Sequence, residues 1–212
     1  MKTKFLPILL TFLMFSCGPS TQITGAWTKD NISSQGPYKK VYIAALTPNV
    51  NAQNAIENNL ASAARERGIE AVTSKQSFTR TFTQDNQPSR TEILDNIRAQ
   101  NADAIFTVTL VDKESETRYI PGNTTYAPMA YGPYYGSFYS YYNTMYPITY
   151  DPGYYATDKI YYMESNLYDA ETEELIWSAQ SKTVNPANVD SFARDYTEAM
   201  IMELVEDGVL KE

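Results

Sequence analysis

Asp112, Glu114 and Glu116 are spaced at period two, so on a strand all three carboxylates face one side. Clustered carboxylates are the ligands Ca²⁺ takes. An acidic strand face in water needs no ion, however, and that plainer role is the expectation. Glu171, Glu173 and Glu174 form a second acidic group. It lacks the glycine and the alternating Asp/Asn of a calcium loop, which predicts an exposed turn. The third group is aromatic. Tyr131, Tyr134, Tyr135, Phe138, Tyr139, Tyr141 and Tyr142 fall between positions 131 and 142. Tyrosine brings large contact area, a polar tip and a low ordering cost, which is why binding loops use it. These seven residues are the candidate binding surface.

Nucleophilic chemistry has little to work with. The chain holds no His, which removes Ser-His-Asp and Cys-His catalysis and every His-bearing metal site. Its single Cys excludes an internal disulfide, a thiolate zinc cluster and an iron–sulfur site. No Ser stands three residues before a Lys, and there is no Gly-x-Gly-x-x-Gly or Walker loop. Two acids from distant positions could still meet as a glycan hydrolase requires, but no spacing recommends it. The expectation is a protein that is not an enzyme, with no catalytic residue, no metal ligand and no cofactor.

Charge narrows the partners. Among 212 residues, 25 are acidic and 17 basic, a formal net charge of -8. Both basic residues of the first sixteen positions, Lys2 and Lys4, precede an apolar run. Without that stretch, 25 acids face 15 bases. Nucleic acid demands clustered Lys and Arg to neutralise phosphate, so it is not an expected partner.

Phe5 to Phe15 is apolar for about eleven residues, the length of a secretory core and too short for a span of ~20. It ends Leu13-Met14-Phe15-Ser16-Cys17-Gly18. A small residue before the only Cys, just after such a run, resembles the bacterial lipobox. Phe15 departs from the small residue that motif prefers. The resemblance implies a diacylglycerol on Cys17, cleavage before it and acylation of the new amine, a palmitate-type anchor. Several acyl chains hold a protein on a membrane where one does not. The sorting rule of such lipoproteins, with Gly18 in place of Asp, implies the outer membrane. Gly18 to Gln22 has no acid, which implies the periplasmic face.

The spans read as a signal peptide at 1–16, lipidated Cys17 with a flexible tether to 37, and one α/β domain at 38–210. Trp27 is the residue of the tether expected to pack back on the domain. Lys39–Leu46, Ile69–Thr73 and Asp103–Val111 read as strands. A helix follows the first, with Ala52, Ile56, Leu60 and Ala63/Ala64 on one stripe and Gly68 as its stop. Ser74 to Pro88 reads as a loop. Ser89 and Glu92 fit a capping box before a second helix. Lys159–Tyr168 and Leu175–Val184 form a hairpin around a polar turn, with Tyr168 and Trp177 packing it against a helix. Asp190 caps a last helix carrying Phe192, Tyr196, Met200 and Leu204. Right-handed crossovers make the first three strands parallel, and the hairpin extends the sheet antiparallel. The fold class is α/β, with a mixed five-stranded sheet, strand order 2-1-3-4-5, and a C-terminal helix.

Three stretches carry a family resemblance: KKVYIAAL at 39–46, NADAIFTVTLVDKE at 101–114, and LYDAETEELIWSAQSKT at 167–183. With them the chain resembles small bacterial envelope lipoproteins. Their periplasmic domain is similar to the amino-terminal domain of the Tol-system propeller protein and to the core of the curli-secretion lipoprotein. This resemblance implies an envelope scaffold or partner-binding domain, with no catalytic residues to transfer.

Residues 119–157 lie outside the resemblance. They hold twelve of eighteen Tyr, five of eleven Pro, four of nine Gly and one charge, Asp151. Their periodicity fits neither helix nor strand over any length, which predicts an irregular loop or short hairpin. The expected function is a non-catalytic, lipid-anchored envelope scaffold whose partner is an envelope protein, peptidoglycan or polysaccharide. One alternative is a glycan-binding or glycan-processing protein that uses carboxylates and the Tyr-rich loop. The other is a subunit of a secretion-type assembly.

Overall fold

β-branched and aromatic residues in KVYIAAL make Lys40–Leu46 a strand, and in the computed structural model it is the second of six. The structure describes residues 20–30, 38–78, 88–120 and 153–211. In chain order the elements are β1 (Thr21–Thr28), β2 (Lys40–Leu46), α1 (Val50–Glu66), β3 (Glu70–Thr73), α2 (Ser74–Ser77), α3 (Arg90–Ala99), β4 (Ala104–Ile120), β5 (Tyr154–Asp169), β6 (Leu175–Val184) and α4 (Val189–Glu206). They build one mixed sheet in the order β1-β6-β5-β4-β2-β3. β2 runs parallel to β3 and β4, and along β4, β5, β6 and β1 each strand is antiparallel to its neighbour.

The predicted α/β class and the order of its five strands therefore hold, with a correction at the edge. Thr21–Thr28, expected in a flexible tether, is strand β1, paired with β6 from Thr21↔Thr183 to Thr28↔Trp177. Its Ser, Thr and Gly content reads as linker, but an open strand edge supplies the backbone partners that such a segment lacks alone. Thr21 is buried, and its hydroxyl shares a hydrogen bond of 2.8 Å with Thr183. Trp27 sits opposite Ser178 and stays half exposed.

Helices cover the sheet unequally. α1 and α4 share one face with Ile43, Phe106, Val108, Met163, Leu167 and Trp177. α3 covers only the β2–β4 end of the other, where Ile97 packs with Tyr42 and Ile105. Asn49 caps α1 by accepting the N–H groups of Asn51 and Ala52 at 3.1 and 3.2 Å, and Gly68 ends the following turn at φ 76°. Ser89 accepts the Glu92 N–H at 3.2 Å, as its spacing predicts. Ser74–Ser77, expected as loop, forms the single turn α2 behind a capping box of Thr73 and Gln76. The cap of α4 is Asn188, not Asp190: its side chain accepts the Ser191 N–H at 2.8 Å, and Asp190 lies in the first turn. Asn two residues earlier offers the same acceptor, so the helix begins sooner. Met200 is buried, and Met202 points to solvent.

Trp177 joins the layers. Fully buried, it stacks on Phe106 at 6.1 Å between ring centroids, and its indole N–H donates to Asp207 at 2.7 Å, just past α4. The expectation that Trp177 packs the hairpin against a helix is thus met. Tyr168 packs on the opposite face, toward the α3 cluster.

Candidate functional site

β4 is longer than predicted, and a bulge divides it. Leu110 pairs with Met163 and Asp112 with Tyr162, so Val111 is the extra residue. Before the bulge, Ala104, Phe106 and Val108 point at α1 and α4. Directly opposed antiparallel residues share a face. Asp112 opposite Tyr162 therefore lies on the other side, away from Met163. One inserted residue moves Asp112, Glu114 and Glu116 to the face that α4 does not cover. Lys113 moves the opposite way, and its ammonium lies 5.5 Å from the ring centre of Tyr161.

The acids lie on a strand face open to solvent. All three are exposed, and among the described residues no group of three His, Cys, Asp or Glu side chains could hold a metal ion. Glu114 is engaged: the Tyr162 hydroxyl donates to its Oε2 at 3.0 Å. That hydrogen bond, then partial burial, then the charges of Glu114, Asp112 and Glu116, push the Tyr162 hydroxyl's pKa upward. Lys182 approaches the same ring to 5.9 Å. In the turn, Glu173 pairs with Arg90 at 2.7 Å and Glu174 with Lys29 at 2.6 Å. Asp169 accepts from the Thr172 N–H and hydroxyl and from the Glu171 N–H, which fixes the turn.

Beyond the bulge β4 and β5 run past the end of β6 at Ile160↔Val184 and continue as a two-stranded ribbon to Ile120↔Tyr154. Its rungs hold themselves in water. Arg118 pairs with Asp158 at 2.7 Å, and Asn185 donates to the second Asp158 oxygen at 2.5 Å. The Asn185 bond first, and Arg118 after it, lower the Asp158 carboxyl below its ordinary value. The rings of Tyr119 and Tyr155 meet at 5.3 Å between centroids. Tyr119, Tyr154 and Tyr155 are 52%, 62% and 75% exposed. Large aromatics this exposed cannot contribute much to the core and are suited to contact.

The proposed binding surface, Tyr131, Tyr134, Tyr135, Phe138, Tyr139, Tyr141 and Tyr142, lies outside the described residues, as does Cys17. The structure does place the base of that segment, since Ile120 and Tyr154 are direct partners at the ribbon tip. Tyr119, Tyr154 and Tyr155 were counted in the insertion by composition but not singled out. The stretch Asp112–Ile120 carries no apolar alternation to mark it as strand, and the density of Gly and Pro that follows obscures it further.

Two buried polar groups deserve a chemical reading. Glu57, 1% exposed on α1, accepts the Ala45 N–H at 3.0 Å, the Ser74 hydroxyl at 2.5 Å, the Gln53 amide at 3.3 Å and the Lys75 N–H at 3.2 Å. A carboxylate with its lone pairs so occupied is a structural tie between α1, β2 and α2. Ser165 is hydrogen-bonded to Tyr196 and lies 3.2 Å from the Met200 sulfur. Burial pushes the Tyr196 hydroxyl far upward, so it is no base for that serine.

No family model matches the chain, and no curated protein matches its sequence. Solved structures offer distant likenesses. Two structures of the PelC dodecamer from Paraburkholderia phytofirmans align at 14% identity, with TM-scores of 0.43 and 0.41. They cover 85% and 86% of this chain and 94% of theirs. Lipoprotein GNA1162 from Neisseria meningitidis aligns at 11% identity and a TM-score of 0.40, over 79% of this chain and 98% of its own. Likenesses at this level carry no argument about what this chain does. Among the described residues, no helix is long and apolar enough to cross a membrane.

Proposed function

We propose that the protein is a lipid-anchored binding module of the bacterial envelope, without catalytic activity, held at the outer membrane by Cys17 with its domain in the periplasm. The observation that carries this reading is the ribbon. A paired, salt-bridged stem presents exposed Tyr119, Tyr154 and Tyr155 and returns the chain to the sheet around a segment rich in Tyr and nearly free of charge. The partner is an envelope protein, met by aromatic area with polar tips.

The test is a bridged deletion. Because Ile120 and Tyr154 are direct partners, an Asn-Gly turn replacing 121–153 closes the ribbon without disturbing its rungs. Crosslinking in intact cells is then compared between the two proteins. The reading expects a protein adduct that disappears with the segment while the domain stays folded. An adduct to peptidoglycan or polysaccharide would favour glycan binding instead. An adduct only to further copies of the chain would favour a self-assembling secretion subunit. An unchanged adduct pattern would refute the role of the segment.

A further inference from the structure

At the opposite end of β4 from the ribbon tip, α1 and α4 part over the sheet and leave a cavity of about 600 Å³. Sites for small molecules run from roughly 300 to 1,000 Å³. The walls are hydrocarbon: Leu60 and Ala64 of α1, Ile201 and Leu204 of α4, with Ile43 and Phe106 beneath. Three charged residues line it, Lys39, Arg67 and Lys211, and no acid does. That selection stands out in a chain with 25 acids and 17 bases. Among the described residues none of the three cations has a carboxylate partner. Arg67 donates to the Ala63 carbonyl of its own helix at 3.3 Å. The nearby Asp207 carboxylate is held by the Trp177 indole. Two helix C-termini supply about half a negative charge each, and Asp103 accepts the Lys39 and Lys40 backbone N–H groups close by, so what marks the mouth is that every charged side chain on its wall is a cation.

An apolar slot whose only charged lining side chains are cations matches a ligand with a long hydrocarbon tail and an anionic head. We propose that this cavity binds one free single-chain anionic lipid, a long-chain fatty acid. The tail lies between α1 and α4 against Phe106, and the carboxylate meets Arg67, Lys39 or Lys211. Each buried methylene then adds about fourfold to affinity. This site is separate from the ribbon and stands or falls independently of the partner it meets.

The experiment uses the full chain in cholate, a rigid steroid detergent, and a palmitate carrying a mid-chain diazirine. Photolabelling should saturate and map to peptides containing Leu60, Phe106 or Leu204. Shortening a competing fatty acid by two methylenes should weaken competition about fifteenfold. Ala64→Trp fills the slot and should abolish labelling. Arg67→Glu with Lys211→Glu, both at the mouth, should weaken palmitate at least tenfold while leaving hexadecanol unchanged. That pair keeps the test valid should Ala64→Trp fail to fold. Labelling that does not saturate, that maps elsewhere, or that ignores both variants would overturn the proposal. So would uptake by Cys17→Ser but not by the acylated protein, because the slot would then house the chain's own acyl group.

Discussion

Tyr119 and Tyr155 face each other across the ribbon, 5.3 Å between ring centroids, next to the last pair of the sheet at Ile120↔Tyr154. The pair closes a stem tied below by the polar Thr117–Thr157 rung and by a diagonal ion pair between Arg118 and Asp158. Exposed cross-strand pairs contribute little to folding, roughly 0.2–1 kcal/mol each. Tyr119→Ala with Tyr155→Ala should therefore lower unfolding free energy by about 1 kcal/mol or less in urea titration. A loss of several kcal/mol would mean that the ribbon is part of the core.

Trp177 makes the opposite prediction. It is fully buried, stacked on Phe106 and bonded to Asp207. Trp177→Ala should cost about 3–5 kcal/mol. Trp177→Phe keeps the ring but loses the indole donor, and should cost about 1–3 kcal/mol. Equal losses in the two variants would show that the Asp207 bond, not ring packing, dominates.

Acid should loosen the β5–β6 turn. Burial raises the Asp169 carboxyl, but the Thr172 and Glu171 hydrogen bonds outweigh it and leave the group below its ordinary value of 3.8. A carboxyl lowered on folding stabilises the native state above its unfolded pKa, and the benefit is lost as pH falls through the folded value. Wild-type stability should thus decline below about pH 4. Asp169→Asn should flatten that decline and cost about 1 kcal/mol or less at neutral pH, since the turn is largely solvated. An unchanged acid limb in the variant would rule Asp169 out as a contributor.

What could be read from residue order and what could not divides along physical lines. β2, the first half of β4, β6 and the stripe of α1 are legible because burial imposes period two or 3.6 on the apolar residues. Trp177 is legible for the same reason, as a large apolar residue in an alternating strand. β1 is not: Thr21–Thr28 has no apolar alternation, and its order depends on the distant edge of β6. The Val111 bulge is also hidden, because one unpaired residue leaves no compositional mark, yet it decides which face Asp112 to Glu116 occupy. The cavity has no local signature either. Its cations, Lys39, Arg67 and Lys211, are far apart in sequence and meet only where two helices end.

The proposed anchor rests on Cys17, the only thiol, placed just after the apolar run. Cys17→Ser should release the domain from the membrane fraction or leave an uncleaved precursor, as fractionation and intact mass would report. Normal processing with unchanged membrane association would exclude lipidation at this residue.

The central claim is that the ribbon tip is a contact surface. A photoreactive amino acid placed at Tyr155, 75% exposed, tests it in intact cells against the same group at Glu66, exposed on α1. The account predicts a discrete adduct from position 155, absent from position 66 and lost when 121–153 is replaced by a turn. The same adducts from both positions, or none from position 155, would contradict it.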